Sequence, residues 1–396
     1  MSEPGVLRDG GLREAVGLVR STVTDPDVRA ARLVWSALAE PGDSVAGSLV
    51  AALGAVDALR TVERAAAGGL MPGVPGVEPR ELAVQLERWR PRLGARLLAA
   101  VAHEAARAGL TLLAPEGAVW PERLADLGAH APVALWVRGD AAALGALDRS
   151  VALVGARAST AYGEHVAGML AGDLAGEGIA VVSGGAYGID GVAHRAALGA
   201  GGLTVAFVAG GADRVYPAGH AHLFARIAER GAIVGEVAPG GTPTKWRFLQ
   251  RNRLIAAVSA ATVVVEAGRR SGSLNTAGHA AALGRPLGAV PGAVTSATSD
   301  GCHRLLREFD ATCVTCAADA RELLGEWGPG GAAPADDRPR PEAIRVLDAL
   351  AARAWRDLAD VARRSGMSFA EVQAELGLLE LDGRVESSAD GWRLAR

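Results

Sequence analysis

Between Val151 and Gly292 lie six short apolar runs, VALVG, IAVVSGG, LTVAFVAGG, AIVGEVA, TVVVEAG and PLGAVPG, separated by stretches of helical spacing. Near-continuous Val, Ile, Leu and Ala suits strands covered on both faces, because a strand with one wet face alternates apolar and polar residues instead. Strands that alternate with helices predict a parallel sheet with helices on each side, so the fold class is α/β with a Rossmann-like domain. In such an open sheet a ligand sits beyond the carboxyl ends of the strands. The loops that follow the runs are therefore where chemistry is expected.

The chain has 396 residues, long for one core. Residues 1–130 are rich in Ala and Leu at helical spacing, broken by Pro and Gly, and predict an N-terminal helical domain whose Trp35, Trp89 and Trp120 serve packing. Residues 131–325 form the Rossmann-like domain. Residues 326–341, rich in Gly, Pro and Asp without periodicity, read as a linker. Residues 342–396 predict a winged helix: helices over 342–353 and 357–364, a third opened by a Ser368-x-x-Glu371 capping box, and a hairpin with an Asp-Gly turn.

A hydrophobic content of 49% with 21% charge argues against disorder. The start has no signal-peptide pattern, and Gly or charge interrupts the apolar stretches, so a cytoplasmic protein with no membrane span is expected. Three cysteines are an odd count. Cys313-x-x-Cys316 with His303 nearby has no second pair, so ATCVTCA reads as a short strand and no metal or cofactor is expected.

A net charge of -3 gives no global attraction for polyanions, so a nucleic acid would need a local patch. The stretch KWRFLQRNR supplies Lys245, Arg247, Arg251 and Arg253 with no acid, and Lys245 is the chain's only lysine. Lys245 and Arg251 would meet phosphates, while Phe248 or Trp246 offers a ring to an unpaired base. Three strand-end loops add backbone N–H groups and hydroxyls suited to anions: Gly155–Gly163 with Arg157, Ser183-Gly184-Gly185 leading to Asp190, and Ser271-Gly272-Ser273. A row of such loops on one sheet edge suits a polynucleotide backbone better than a single nucleotide.

These motifs occur in an order that resembles the DNA-processing protein A family (DprA/Smf). The likeness runs through G-x-R-x-x-T-x-Y-G at 155–163, S-G-x-A-x-G-I-D at 183–190, Tyr216-Pro217, F-x-x-R-N-R at 248–253, V-V-V-E-A at 263–267 and S-G-S-L-x-T-A at 271–277. The resemblance implies a non-catalytic, homodimeric protein that binds single-stranded DNA and loads RecA recombinase during natural transformation. By motif position it implies DNA contacts from Arg157, Ser183, Gly184, Lys245, Phe248, Arg251, Asn252 and Ser273. Leu249 departs from the proline usual after the phenylalanine.

The alternative is a nucleotide-processing enzyme of the phosphoribohydrolase type, with His194, Asp190, Asp213, Glu236 and Glu266 as acids and bases. That family's P-G-G-x-G-T-x-x-E signature is broken at Pro239–Lys245, where its glutamate position is absent, so Glu266 reads as an anchor for a backbone loop. A dinucleotide-dependent dehydrogenase is excluded by the missing G-x-G-x-x-G. The third helix of the winged domain, SFAEVQAELGLLELD, has acids and no cation, unlike a helix that enters a DNA groove. Truncation after Gly325 is therefore expected to leave oligo(dT) affinity within about tenfold of the full chain in a titration, since each phosphate-binding loop is retained.

Overall fold

The computed structural model describes residues 5–325 and 340–395, which fall into two compact units, Met1–Glu326 and Trp327–Arg396. The expected linker lies outside the described residues except for Arg340 and Pro341, and Pro341 already opens a helix.

A ten-stranded sheet organises the larger unit. Its strands are β1 (Arg20–Ser21), β2 (Thr111–Leu113), β3 (Leu135–Gly139), β4 (Ser150–Gly155) and β5 (Ala180–Ser183). They continue with β6 (Thr204–Val208), β7 (Ala232–Gly235), β8 (Ala261–Glu266), β9 (Leu287–Ala289) and β10 (Thr312–Cys313). The order across the sheet is β1-β2-β3-β7-β6-β5-β4-β8-β9-β10. From β4 the chain builds outward through β5, β6 and β7 on one side, then through β8, β9 and β10 on the other. The order reverses between β4 and β8, which pair in parallel, so loops leaving these two strands diverge and open a crevice. All six apolar runs became strands, and β4, β5, β6, β7 and β8 are buried along almost their whole length.

Two features depart from the sequence expectation. Strand β3 pairs antiparallel with both β2 and β7, so the sheet is not wholly parallel. The segment linking β2 to β3 contains a short 3-10 helix, Glu122–His130, in place of an α-helical crossover, and the strand returns in the opposite sense. The first 130 residues also do more than form helices. They contribute β1 and β2 to the sheet, and Leu33, Trp35, Leu49 and Trp89 share one buried cluster with Trp136, Ala206, Phe224 and Ile233.

The helices of this segment start where their caps place them. Asp25 accepts from the N–H groups of Asp27 and Val28, with Pro26 at the first turn, and starts the Pro26–Leu38 helix. Trp35 meets Trp89 edge to face at 5.3 Å and donates its indole N–H to the Ala55 carbonyl at 2.9 Å, so its polar atom is satisfied in the core. The Ser44–Ala66 helix is long and apolar enough to cross a membrane by length and composition, which the sequence reading did not anticipate. It breaks at Gly54 and buries Ala46, Leu49, Ala58, Leu59 and Val62 in the shared cluster.

In the smaller unit the helices Pro341–Ala349, Leu358–Ser365 and Phe369–Leu381 pack around Val346, Val361, Val372 and Leu376. The capping box at Ser368 and Glu371 is formed as the sequence predicts. The hairpin pairs β11 (Val385–Ser388) with β12 (Gly391–Leu394). Ser388 faces Gly391, so Ala389 and Asp390 make the turn and the expected Asp-Gly turn is displaced by one residue.

Trp136 in β3 is fully buried and donates to Ser36 Oγ at 3.2 Å, tying the sheet to the Pro26–Leu38 helix. Trp136→Ala is expected to cost about 3–5 kcal/mol of stability. Hydrogen exchange should then rise in both β3 and the Pro26–Leu38 helix; loss of protection in β3 alone would contradict a shared core.

Candidate nucleic-acid interface

The crevice predicted by the β4/β8 reversal is present as a cleft of about 790 Å³ at the carboxyl ends of the strands. It brings together Arg157, Lys245, Phe248, Arg251, Asn252, Ser271, Gly272 and Ser273. Ser183, Gly184 and Gly185 do not line it. A smaller pocket of about 60 Å³ adjoins it behind Phe248, with Gly184, Tyr187, Arg214 and Tyr216 in its wall.

The basic stretch is a helix, Lys245–Val258, capped by Thr244, whose hydroxyl accepts from the Arg247 N–H at 3.2 Å. Its four cations have four different surroundings. Arg247 is paired with Glu40 at 3.0 Å, and Arg253 with Glu236 at 2.7 Å. Arg251 is buried, and its Nη1 donates to the carbonyls of Gly184 at 2.6 Å and Phe207 at 2.7 Å. Burial pushes its pKa down to about 10 while Asp190 pulls it upward, so it keeps its proton at neutral pH. Lys245 is exposed and, among the described residues, has no carboxylate partner. Arg157 and Arg270, on the loops after β4 and β8, are likewise exposed and without a carboxylate partner among the described residues.

This corrects several sequence expectations. Arg251, expected on a phosphate, is a strut at the base of the cleft, because it is buried and its Nη1 is held by two carbonyls. The Ser183 hydroxyl donates to the Leu153 carbonyl at 2.6 Å and is fully buried. The N–H groups of Gly184 and Ala186, expected to cradle an anion, donate to Asp190 Oδ2 at 3.2 and 3.4 Å, and Gly185 is buried. Glycine is required at 184 for closeness: a Cβ there would run into the Arg251 guanidinium. The Asn252 amide donates to the Gly272 carbonyl at 3.3 Å and to Asn275 Oδ1 at 3.2 Å, so it shapes the Ser271–Ser273 loop. Within that loop Ser271 Oγ and Ser273 Oγ are 2.7 Å apart, and Gly272 is exposed just before the Ser273–Ala282 helix.

Phe248 is half-buried in the cleft wall. The Arg157 guanidinium carbon lies 4.7 Å from the centre of its ring, and the Tyr216 ring centre lies 5.7 Å away. Trp246 is 58% exposed and does not line the cleft. The roles of Tyr216 and Arg270 were not assigned from sequence. Their only signal there was position: Tyr216 within a matching motif, Arg270 beside the hydroxyl loop.

Each acid and base proposed for an enzyme is held in an internal bond. Glu266, buried, accepts from the Thr160 N–H at 2.9 Å and hydroxyl at 2.8 Å, the loop anchor expected from sequence. Glu236 is paired with Arg253, and Asp213 accepts from the Gly240 N–H at 3.1 Å. Asp190 is buried beneath the 184–186 turn, and burial raises its pKa against the opposing charge of Arg251. His194 is fully buried with Nδ1 2.7 Å from Thr204 Oγ1, and burial drives its pKa down to about 3.

The fold and this cleft define a Rossmann-like protein with unpaired cations and aromatic rings at the switch point of its sheet. The chain matches the family described as DNA recombination-mediator protein A over residues 111–325, and the DprA winged helix domain over residues 330–391. A Mycobacterium tuberculosis protein named as a DNA processing protein, DprA, is 44% identical over 391 residues, covering 94% of this chain and 95% of the relative. Protein Smf of Escherichia coli is 35% identical over 274 residues, covering 67% and 72%. The X-ray structure of DNA processing protein A from Streptococcus pneumoniae superposes with a TM-score of 0.61 at 30% identity, covering 76% of this chain and 98% of that one. The chain belongs to the DNA recombination-mediator protein A family.

His194 sets a pH dependence that can be measured. Its folded pKa is depressed from 6.5 to about 3, so the unfolded chain binds the proton first. Stability from the neutral imidazole is complete above pH 6.5 and is lost as pH falls towards 3. In denaturant titrations across that window, wild type should lose about 1.4 kcal/mol per pH unit more than His194→Gln. Parallel curves would mean that His194 titrates normally.

Proposed function

We propose that the chain binds single-stranded DNA along the carboxyl edge of its sheet, as a mediator of recombination and not as an enzyme. The observation that carries this reading is the placement of Arg157, Lys245 and Arg270, all unpaired with carboxylates among the described residues, around the Phe248 and Tyr216 rings in one cleft. Cations spaced along a groove suit successive phosphates, and a ring between them suits an unpaired base, which a duplex does not offer. A base that stacks on Phe248 takes the place of the Arg157 guanidinium, which is then free for the adjacent phosphate. The Ser271–Ser273 loop adds hydroxyls and the start of the Ser273–Ala282 helix to the lining of the same cleft.

The M. tuberculosis relative is named for DNA processing, and the sequence resemblance adds loading of RecA recombinase, a homodimer, and a cytoplasmic role in natural transformation. Against the phosphoribohydrolase alternative stands the structural use of Asp190, His194, Asp213, Glu236 and Glu266: of the five only Asp190 lines the cleft, and its Oδ2 accepts from the Gly184 and Ala186 N–H groups. Incubation with nucleoside monophosphates is expected to release no free base.

Oligo(dT) and duplex titrations over a salt series test the reading. Single strands should bind more tightly than duplex of equal length. Lys245→Ala and Arg157→Ala should each weaken binding and flatten log affinity against log salt by about 0.7, the release expected for one single-strand phosphate. Phe248→Ala should cost about 1–3 kcal/mol with the slope unchanged, since a ring releases no counterion. Arg251→Ala should lower the melting temperature, in keeping with a buried strut. Equal slopes for wild type and Lys245→Ala would remove the phosphate assignment.

A further inference from the structure

The Lys245–Val258 helix is used on two sides. At about 100° per residue, Lys245, Phe248 and Asn252 fall on one side and Arg247, Gln250 and Arg253 on the other. The second side faces the turn that follows the Pro26–Leu38 helix. Glu40 in that turn accepts from Arg247 Nε and Nη2, each at 3.0 Å, a two-point fork. The same carboxylate accepts from Arg92 Nη2 at 3.0 Å, and Arg92 Nη1 holds the Leu38 carbonyl at 2.9 Å. Arg247 Nη1 donates to the Thr242 carbonyl at 2.8 Å, in the loop that enters the helix.

A second attachment lies further along the same side. The Gly42 N–H donates to Glu236 Oε1 at 3.2 Å, and Glu236 takes both Nη groups of Arg253 at 2.7 and 2.8 Å. Arg253 Nε donates to the His130 carbonyl at 3.1 Å, and His130 Nδ1 lies 2.9 Å from the Gly42 carbonyl. Gly42 has φ of 75°, and a Cβ there would meet the Gln250 side chain, so the turn touches the helix at Arg247, Gln250 and the Arg253 pair.

We propose that Glu40 is a positioning residue for nucleic-acid binding: through Arg247 it fixes the first helical turn that presents Lys245 and Phe248, so the N-terminal segment sets the affinity of a cleft it does not line. This rests on the single-strand reading above. Arg247 is forked to Glu40, which it shares with Arg92, and does not line the cleft, so it serves as a tether and not a phosphate ligand. The Glu40–Arg247 pair is partly open to solvent, with side chains 36% and 19% exposed, and pairs of this kind contribute little to global stability. Its loss releases the helix start from the turn at Glu40 while the buried attachment at Arg253 holds the fold. A loosened binding turn must be ordered again when DNA binds, which reduces affinity without removing a phosphate contact.

The test measures oligo(dT) affinity, its salt slope and the melting temperature of the full chain for wild type, Glu40→Gln, Arg247→Gln and the double variant. Glu40→Gln is expected to weaken binding about fivefold with the salt slope and melting temperature unchanged. Arg247→Gln should match it, and the double variant should be no weaker than either single one, because the two remove one tether. Unchanged or tighter binding by Glu40→Gln would overturn the proposal, as would a flattening of the slope by about 0.7 in Arg247→Gln, which would make that arginine a phosphate ligand. A fall in melting temperature that accounts for the lost affinity would also overturn it. If wild type shows no preference for oligo(dT) over duplex, the single-strand reading fails whatever Glu40→Gln does, so the two failures are distinct.

Discussion

Arg251 carries a full charge into a site nearly closed to water, and removing a guanidinium from water is costly unless its donors find good acceptors. It finds them in the carbonyls of Gly184 and Phe207, which belong to the loop after β5 and to β6 itself. One side chain on the Lys245–Val258 helix thereby fixes the height of two neighbouring strand ends. The consequences run outward. Gly184 has no side chain because the guanidinium occupies the space a Cβ would take, and Asp190 beneath gathers the N–H groups of Gly184 and Ala186. With those donors satisfied from below, the loop is a firm wall, and the open part of the cleft shifts towards β4 and β8.

That shift explains how a chain with net charge -3 can offer a site for a polyanion. Arg253 is paired with Glu236, Arg247 shares Glu40 with Arg92, and Arg251 is faced by Asp190. Among the described residues that line the cleft, Arg157, Lys245 and Arg270 form a short arc without a carboxylate partner at the mouth of the switch-point crevice. At physiological salt the screening length is about 8 Å, so the acidic balance of the distant surface does not cancel this arc. Local pairing, not total charge, decides where a phosphate is attracted.

The sheet was legible because buried parallel strands write themselves as uninterrupted apolar runs, and each of the six runs became a strand. The winged helix was legible from its caps. Strands β1, β2 and β3 were not, because strands of two, three and five residues leave little pattern among helices, and the sense of β3 depends on the link before it. For the site, the sequence named the helix and two of the loops that meet in the cleft but did not show the internal bonds of Ser183, Gly184, Arg251 and Asn252. Residue type announces that a group can bind an anion; only tertiary structure shows that an internal carbonyl or carboxylate has reached it first. Glu40 lies 207 positions from Arg247, and no local pattern joins them. Glu266 was read as a loop anchor, since an acid at the end of a buried strand must find donors, and Thr160 in the loop after the neighbouring strand β4 supplies them.

The solitary lysine fits the same logic. Among the described residues, Arg247, Arg251 and Arg253 each place several N–H groups on internal acceptors, which a planar fork does well and an ammonium does poorly. Lys245 has none of these obligations. It occupies the first turn of the helix, where the backbone dipole disfavours a cation by a few tenths to about 1 kcal/mol. A positive charge at that position weakens the helix that carries it, which the Thr244 cap helps to hold by accepting from the Arg247 N–H. On the proposed function, an anion at Lys245 would meet the ammonium and the helix start together, which would offset the local penalty. The helix is thus held by arginines on internal acceptors, and its exposed start carries the one cation of the four that has no such partner among the described residues.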